Sequence, residues 1–83
     1  MKVREFKTFL MLAGFYDTDG DGEYLHSTIP ITVEIGMSII SVGVTEEQHT
    51  SNMEVSIAVA DEELDQLNIT HIHNYFNELV AKL

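Results

Sequence analysis

Ile31-Thr32-Val33-Glu34-Ile35-Gly36-Met37-Ser38-Ile39-Ile40-Ser41-Val42-Gly43-Val44 is the stretch on which the fold turns. Up to Ile39 it alternates: Ile31, Val33, Ile35, Met37 and Ile39 share one side, while Thr32, Glu34, Gly36 and Ser38 share the other. That period of two belongs to a strand with one buried face. At Ile40 the phase slips by one residue, and Ile40, Val42 and Val44 take over. A slip of this kind signals a bulge or a tight turn, with Gly36 and Gly43 as the residues to supply it.

Working outward, residues 53–60 alternate again, setting Met53, Val55, Ile57 and Val59 opposite Glu54, Ser56, Ala58 and Ala60. The polar link 45–52 is too short for a helical crossover, so the two segments are expected to pair antiparallel. Tyr24 to Ile29 reads as a further short strand, which Pro30 confines to an edge or an end. On either side the period changes to 3.6. Over residues 2–13, Val3, Phe6, Phe9, Leu10 and Ala13 fall on one helical face, with Gly14 placed to end the helix in the left-handed conformation. Met11 and Leu12 lie off that stripe. Over 69–83, Ile69, Ile72, Phe76, Leu79, Val80 and Leu83 form a second stripe. Extending it backwards puts Leu64 and Leu67 off the stripe. A short helical turn over 62–67 is therefore expected, with a break near Asn68 and a cap from Asn68 or Thr70.

The expectation is an α+β fold of two layers in the order α-β-β-β-α, with two amphipathic helices on an antiparallel sheet of two to three strands. The 83 residues make one domain, 1–83. The same element order occurs in double-stranded-RNA-binding domains, but residues 61–83 hold one Lys and no Arg, where such a domain needs a basic helix start.

Charge narrows the function. Fourteen acidic residues against four Lys and Arg give a formal net charge of −10. Nucleic-acid phosphates and anionic membrane surfaces are disfavoured, because both are bound by cationic side chains. Solubility, cations or a basic protein partner suit such a chain. Cysteine is absent, so neither disulfides nor thiolate metal sites reinforce the core, which fits a reducing, cytoplasmic setting. Lys2, Arg4 and Lys7 before the apolar run 9–16 imitate a signal peptide. However, Glu5 interrupts the basic part, and Asp17-Thr18-Asp19 stands where a small-x-small cleavage site belongs. That apolar run is also too short to span a membrane.

Asp17-Thr18-Asp19-Gly20-Asp21-Gly22 resembles the calcium loop of EF-hands, D-x-D-G-D-G, and like it follows an amphipathic helix. The resemblance implies Asp17, Asp19 and Asp21 as carboxylate ligands of a hard cation, with Gly22 at the sharp bend. It departs from the family at Thr28, where the loop's last ligand is a bidentate Glu, and in the strand pattern that replaces a second helix. Any calcium site is therefore weak, and the plain alternative is a solvated Asp/Gly turn. No other cofactor is implied. Asp61-Glu62-Glu63-Leu64-Asp65 reads as an N-cap and acidic first turn, or as an acidic docking surface. Glu46 and Glu47 in the inter-strand link would extend that surface. His71 and His73 are two apart on a helix, facing different ways, so they read as exposed flanks of a buried Ile72 rather than a metal pair.

Catalytic patterns are missing: no Cys nucleophile, no G-x-S-x-G, no phosphate-cradling G-x-x-x-x-G-K-[ST], no H-E-x-x-H. The expectation is a non-enzymatic module whose Asp61, Glu62, Glu63, Asp65, Glu46 and Glu47 meet a basic protein. Size and charge are those of small acidic inhibitors of nucleic-acid enzymes, such as immunity, anti-restriction and anti-CRISPR proteins. Two other readings stay open. One is a weak calcium-binding domain; the other is an assembly component or homodimer joined through a sheet edge or through Met11 and Leu12.

Overall fold

The computed structural model describes residues 1–18, 20–45, 53–58 and 62–82. Its elements run α1 (Val3–Leu12), β1 (Phe15–Asp17), β2 (Glu23–His26), β3 (Ile31–Ile35), β4 (Ile39–Val44), β5 (Met53–Ser56) and α2 (Gln66–Lys82). The five strands form an antiparallel sheet in sequence order, β1-β2-β3-β4-β5. The fold is thus α+β with two helices, but the sheet has five strands instead of two to three.

The two extra strands have separate causes. Ile31 to Val44 is a hairpin and not one faulted strand: β3 pairs with β4 from Ile31↔Val44 to Ile35↔Ile40. The phase slip is the turn between them, where the Gly36 N–H donates to the Ile39 carbonyl at 2.9 Å. Gly43 pairs regularly with Thr32, so the irregularity sits at Gly36 alone. Met37, which continues the alternation, is 88% exposed at the tip of that turn. The other strand, β1, pairs with β2 through Phe15↔His26, Tyr16↔Leu25 and Asp17↔Tyr24.

Both helices lie on one face of the sheet. Tyr24, Val33, Val42 and Met53 stand opposite one another across four strands, and all four are buried. Onto them pack Val3, Phe6 and Leu10 of α1 and Ile72 and Leu79 of α2, in one continuous core. Each such aliphatic side chain taken fully out of water contributes about 1.5–3 kcal/mol. Phe15 of β1 stacks on Phe76 of α2 with ring centroids 5.8 Å apart.

Gly14 ends α1 at φ +101, as the helix stripe predicts. Glu5 closes the other end, its Oε1 accepting from the Lys2 backbone N–H at 2.8 Å. For α2 the expected break near Asn68 does not occur. The helix begins at Gln66, and Asp65 is its cap, its Oδ1 accepting from the Asn68 N–H at 2.8 Å. Glu62 makes a left-handed turn at φ +50, and no helical turn forms over 62–64. Glu63 bridges Ala58 on one side and Lys2 on the other, and Leu64 is fully buried by that route. Leu67, the second off-stripe residue, is inside the helix and 78% exposed.

Candidate interaction face

Neither helix covers the second face of the sheet. Because side chains alternate, the residues flanking the buried row must form the next row on the open side. Register places Glu23 opposite Glu34, Glu34 opposite Ser41, and Ser41 opposite Glu54. Strands lie about 4.8 Å apart, so this is a straight row of carboxylates across four strands, interrupted by one hydroxyl. Ser41 Oγ reaches Glu54 Oε2 at 3.4 Å. Glu34 and Glu54 are exposed and Glu23 is half-buried. Beside this row runs a second one, Tyr16–Leu25–Thr32–Gly43, and Thr32 shares a hydroxyl hydrogen bond at 2.9 Å with Thr45, just past the end of β4.

No Lys or Arg occurs between Thr8 and Ala81, so the sheet and its connections carry neither. Like charges set directly opposite on paired strands destabilise a sheet. By that rule the Glu23–Glu34 opposition is expected to cost the fold stability.

The residues expected from sequence to bind a partner fall in different places. Glu62 is exposed, with φ +50, a left-handed conformation that an ordinary side chain rarely adopts. Glu63 is engaged internally: its Oε1 accepts from the Met1 amino nitrogen at 3.3 Å, and Oε2 faces Lys2 Nζ at 3.6 Å. The hydrogen bond from that ammonium, with the charges of the ammonium and of Lys2, holds the Glu63 carboxyl below the usual carboxylate range. Asp65 caps α2. Asp61, Glu46 and Glu47 lie outside the described residues.

The Asp/Gly loop is the β1–β2 hairpin connection. Asp17 Oδ1 accepts from the Gly20 N–H at 3.0 Å, and Asp21 Oδ1 from the Glu23 N–H at 3.3 Å, which are local turn bonds. Asp19 lies outside the described residues. Among the described residues no three His, Asp or Glu side chains converge as metal ligands. Tyr24, opposite Asp17 in the register, has its phenol pushed up by burial and, secondarily, by the Asp17 charge.

Of the histidines, His71 and His73 are exposed and flank buried Ile72, as the helix spacing predicts. His49 lies outside the described residues. His26 has a role that no motif announced. Its Nδ1 accepts from the Thr28 and Ile29 N–H groups, each at 3.1 Å, and its Nε2 meets the Ala13 carbonyl oxygen at 2.9 Å. With Nδ1 an acceptor, Nε2 must carry the proton, so the ring is a neutral clamp between the end of α1 and the β2–β3 turn.

The open carboxylate row is the feature that sequence reading missed. Glu34 and Glu54 were legible as polar sides of strands, but only the register brings them into line with Glu23. Fold and face together define a two-layer α+β arrangement whose acidic sheet face is covered by neither helix among the described residues. No family model, no curated protein and no solved structure matches this chain. Among the described residues no helix is long and apolar enough to cross a membrane.

Proposed function

We propose that this chain is a non-enzymatic, cytoplasmic, acidic protein-binding module that antagonises a basic, nucleic-acid-processing protein, in the manner of anti-restriction, anti-CRISPR or immunity proteins. The observation that carries this reading is the Glu23–Glu34–Glu54 row on the face that neither helix covers, with no Lys or Arg on that sheet. The row is borne by paired strands, so its geometry is preorganised and little order is lost when a partner binds. A flat array of negative charge steers a cationic groove towards it and discriminates against acidic partners. Exposed Glu62 adds charge at the corner where residues 62–64 meet the start of α1.

The test is affinity capture from the source lysate with the wild-type chain and with the triple variant Glu23→Gln, Glu34→Gln, Glu54→Gln, in low and high salt and with a calcium chelator. One dominant basic nucleic-acid enzyme, released by salt and not retained by the triple variant, is the expected result. Capture that survives the triple variant would sink the sheet-face reading. Capture lost with chelator would favour the calcium reading of Asp17, Asp19 and Asp21 instead.

A further inference from the structure

His26 is held at both ring nitrogens, and the two attachments differ in what they require of its charge. Nδ1 accepts from the backbone N–H groups of Thr28 and Ile29, each at 3.1 Å, while Nε2 donates to the Ala13 carbonyl at 2.9 Å. Among the described residues neither amide has another acceptor. A protonated imidazole is a donor at both nitrogens and an acceptor at neither. The Nε2 bond therefore survives protonation, whereas a proton on Nδ1 faces two donors. The Thr28 hydroxyl, 3.3 Å from Nδ1, can turn and accept; the two amides cannot.

The surroundings sharpen this difference. Ala13 is the C-cap of α1, and the carbonyls at a helix C-terminus attract a cation, so the charged ring is drawn to the end that it keeps. No Lys, Arg, Asp or Glu lies between Thr8 and Tyr16 or between Leu25 and Thr32, so the end of α1, the β2–β3 turn and the start of β3 bring no charge to the ring. From β1, Phe15 stands edge-on to the ring at 4.9 Å, and Tyr16 lies beside it. Asp17 and Tyr24 oppose each other on the same sheet face as His26, two residues along β1 and β2. On α2, Phe76 stacks on Phe15, and His73, one turn before it, is the titratable group on that side. None of these side chains is an acceptor for the Thr28 and Ile29 amides. The His26 ring is half-buried, so protons reach it.

We propose that His26 is a one-sided pH latch: proton uptake at Nδ1 frees the β2–β3 turn at Thr28 and Ile29 while the ring stays fastened to the end of α1. The turn is ordered when the ring is neutral, and that order is lost as the pH falls. The turn is one wall of a hollow of about 190 Å³ that also has Tyr16, Leu25 and Thr45 in its lining. Tyr16 and Leu25 belong to the row beside the carboxylates, so acid reshapes a border of the open face. The latch follows from hydrogen-bond geometry and stands whether or not that face binds a basic protein.

Nitrogen-15 NMR of the full chain from about pH 8 to about pH 5.5, within the range where imidazoles change charge, tests the proposal. At the alkaline end the His26 ring is expected as the Nε2–H tautomer. On acidification the Thr28 and Ile29 amide protons should move upfield with the midpoint of the His26 ring. Their hydrogen-exchange protection, corrected for the intrinsic pH dependence of exchange, should be lost. The Gly14 amide, bonded to the Met11 carbonyl at 3.2 Å, should keep its protection. His26→Gln takes up no proton in this range, so its Thr28 and Ile29 amides should stay in place. An Nδ1–H tautomer at about pH 8 would overturn the proposal. So would wild-type Thr28 and Ile29 amides that stay in place while the ring titrates, that move equally in His26→Gln, or that lose protection together with Gly14.

Discussion

Gly20 and Gly22 share one hairpin connection and both have positive φ, +83 and +95, but their surroundings differ. A Cβ on Gly20 would meet nothing within 4 Å, whereas one on Gly22 would collide with the Ile35 carbonyl oxygen. Gly22 is also fixed in place, because its own carbonyl accepts from the Ile35 N–H at 2.8 Å. Gly20→Ala is expected to cost the ~1–2 kcal/mol of a left-handed alanine. Gly22→Ala should cost clearly more, since the hairpin must break the bond to Ile35 to make room. Urea unfolding midpoints measure the difference, and equal midpoints would mean that the connection shifts freely. The comparison bears on function as well. Gly22 looks from sequence like the bend of a cation loop, yet its contact with β3 accounts for a glycine there without any cation. Gly14 is constrained in a similar way: its Cβ would stand 2.7 Å from His26 Nε2, so the helix stop and the His26 clamp require each other.

At the scale of elements, α2 shows how a cap decides where a helix begins. Asp65 Oδ1 satisfies the Asn68 N–H, while Asn68 Nδ2 donates to the Ser56 carbonyl at 2.9 Å and ties the helix start to β5. Asp65→Ala is expected to lower stability by ~1 kcal/mol, the usual loss for a removed N-cap, and thermal unfolding should show it as a drop of several degrees. The acidic run 61–65 looked like a first helical turn because Leu64 sits among good helix formers. What overrode propensity was tertiary: the bridges of Glu63 to Ala58 and Lys2 hold this stretch out of the helix and bury Leu64. The same contrast separates the legible elements from the others. The helix Val3–Leu12 was readable because burial imposes a period on it, and so was the alternation from Met53, although of the expected strand 53–60 only Met53–Ser56 forms β5 and residues 59 and 60 lie outside the described residues. Phe15–Asp17 was not, since three residues cannot display one. The β3–β4 hairpin was half-readable: the slip at Ile40 was visible, but exposed Met37 kept the alternation going through the turn by coincidence. As for the candidate site, its carboxylates were countable from sequence, and their alignment was not, because register is set between strands.

For the molecule as a whole, a sheet whose strands carry carboxylates and no Lys or Arg sets stability against binding. Glu34 sits directly between Glu23 and Ser41 and has no cation within its sheet. Neutralising it in Glu34→Gln should relieve a like-charge pair worth roughly 0.2–1 kcal/mol and so raise the melting temperature by a few degrees at low ionic strength. The gain should shrink as salt rises, because the screening length falls from about 10 Å at 0.1 M to about 3 Å at 1 M, below the spacing between the strands. Partner binding should move the other way, with the stabilised variant holding a basic protein less tightly. Melting curves in a salt series, taken at one fixed low protein concentration so that association does not contribute, give the first half of this comparison. If Glu34→Gln is neutral at low salt, the opposition of Glu23 and Glu34 is not strained, and a solvated polar face explains the row. If the variant is more stable and binds less, the row costs the fold stability and contributes to recognition, as the proposed function requires.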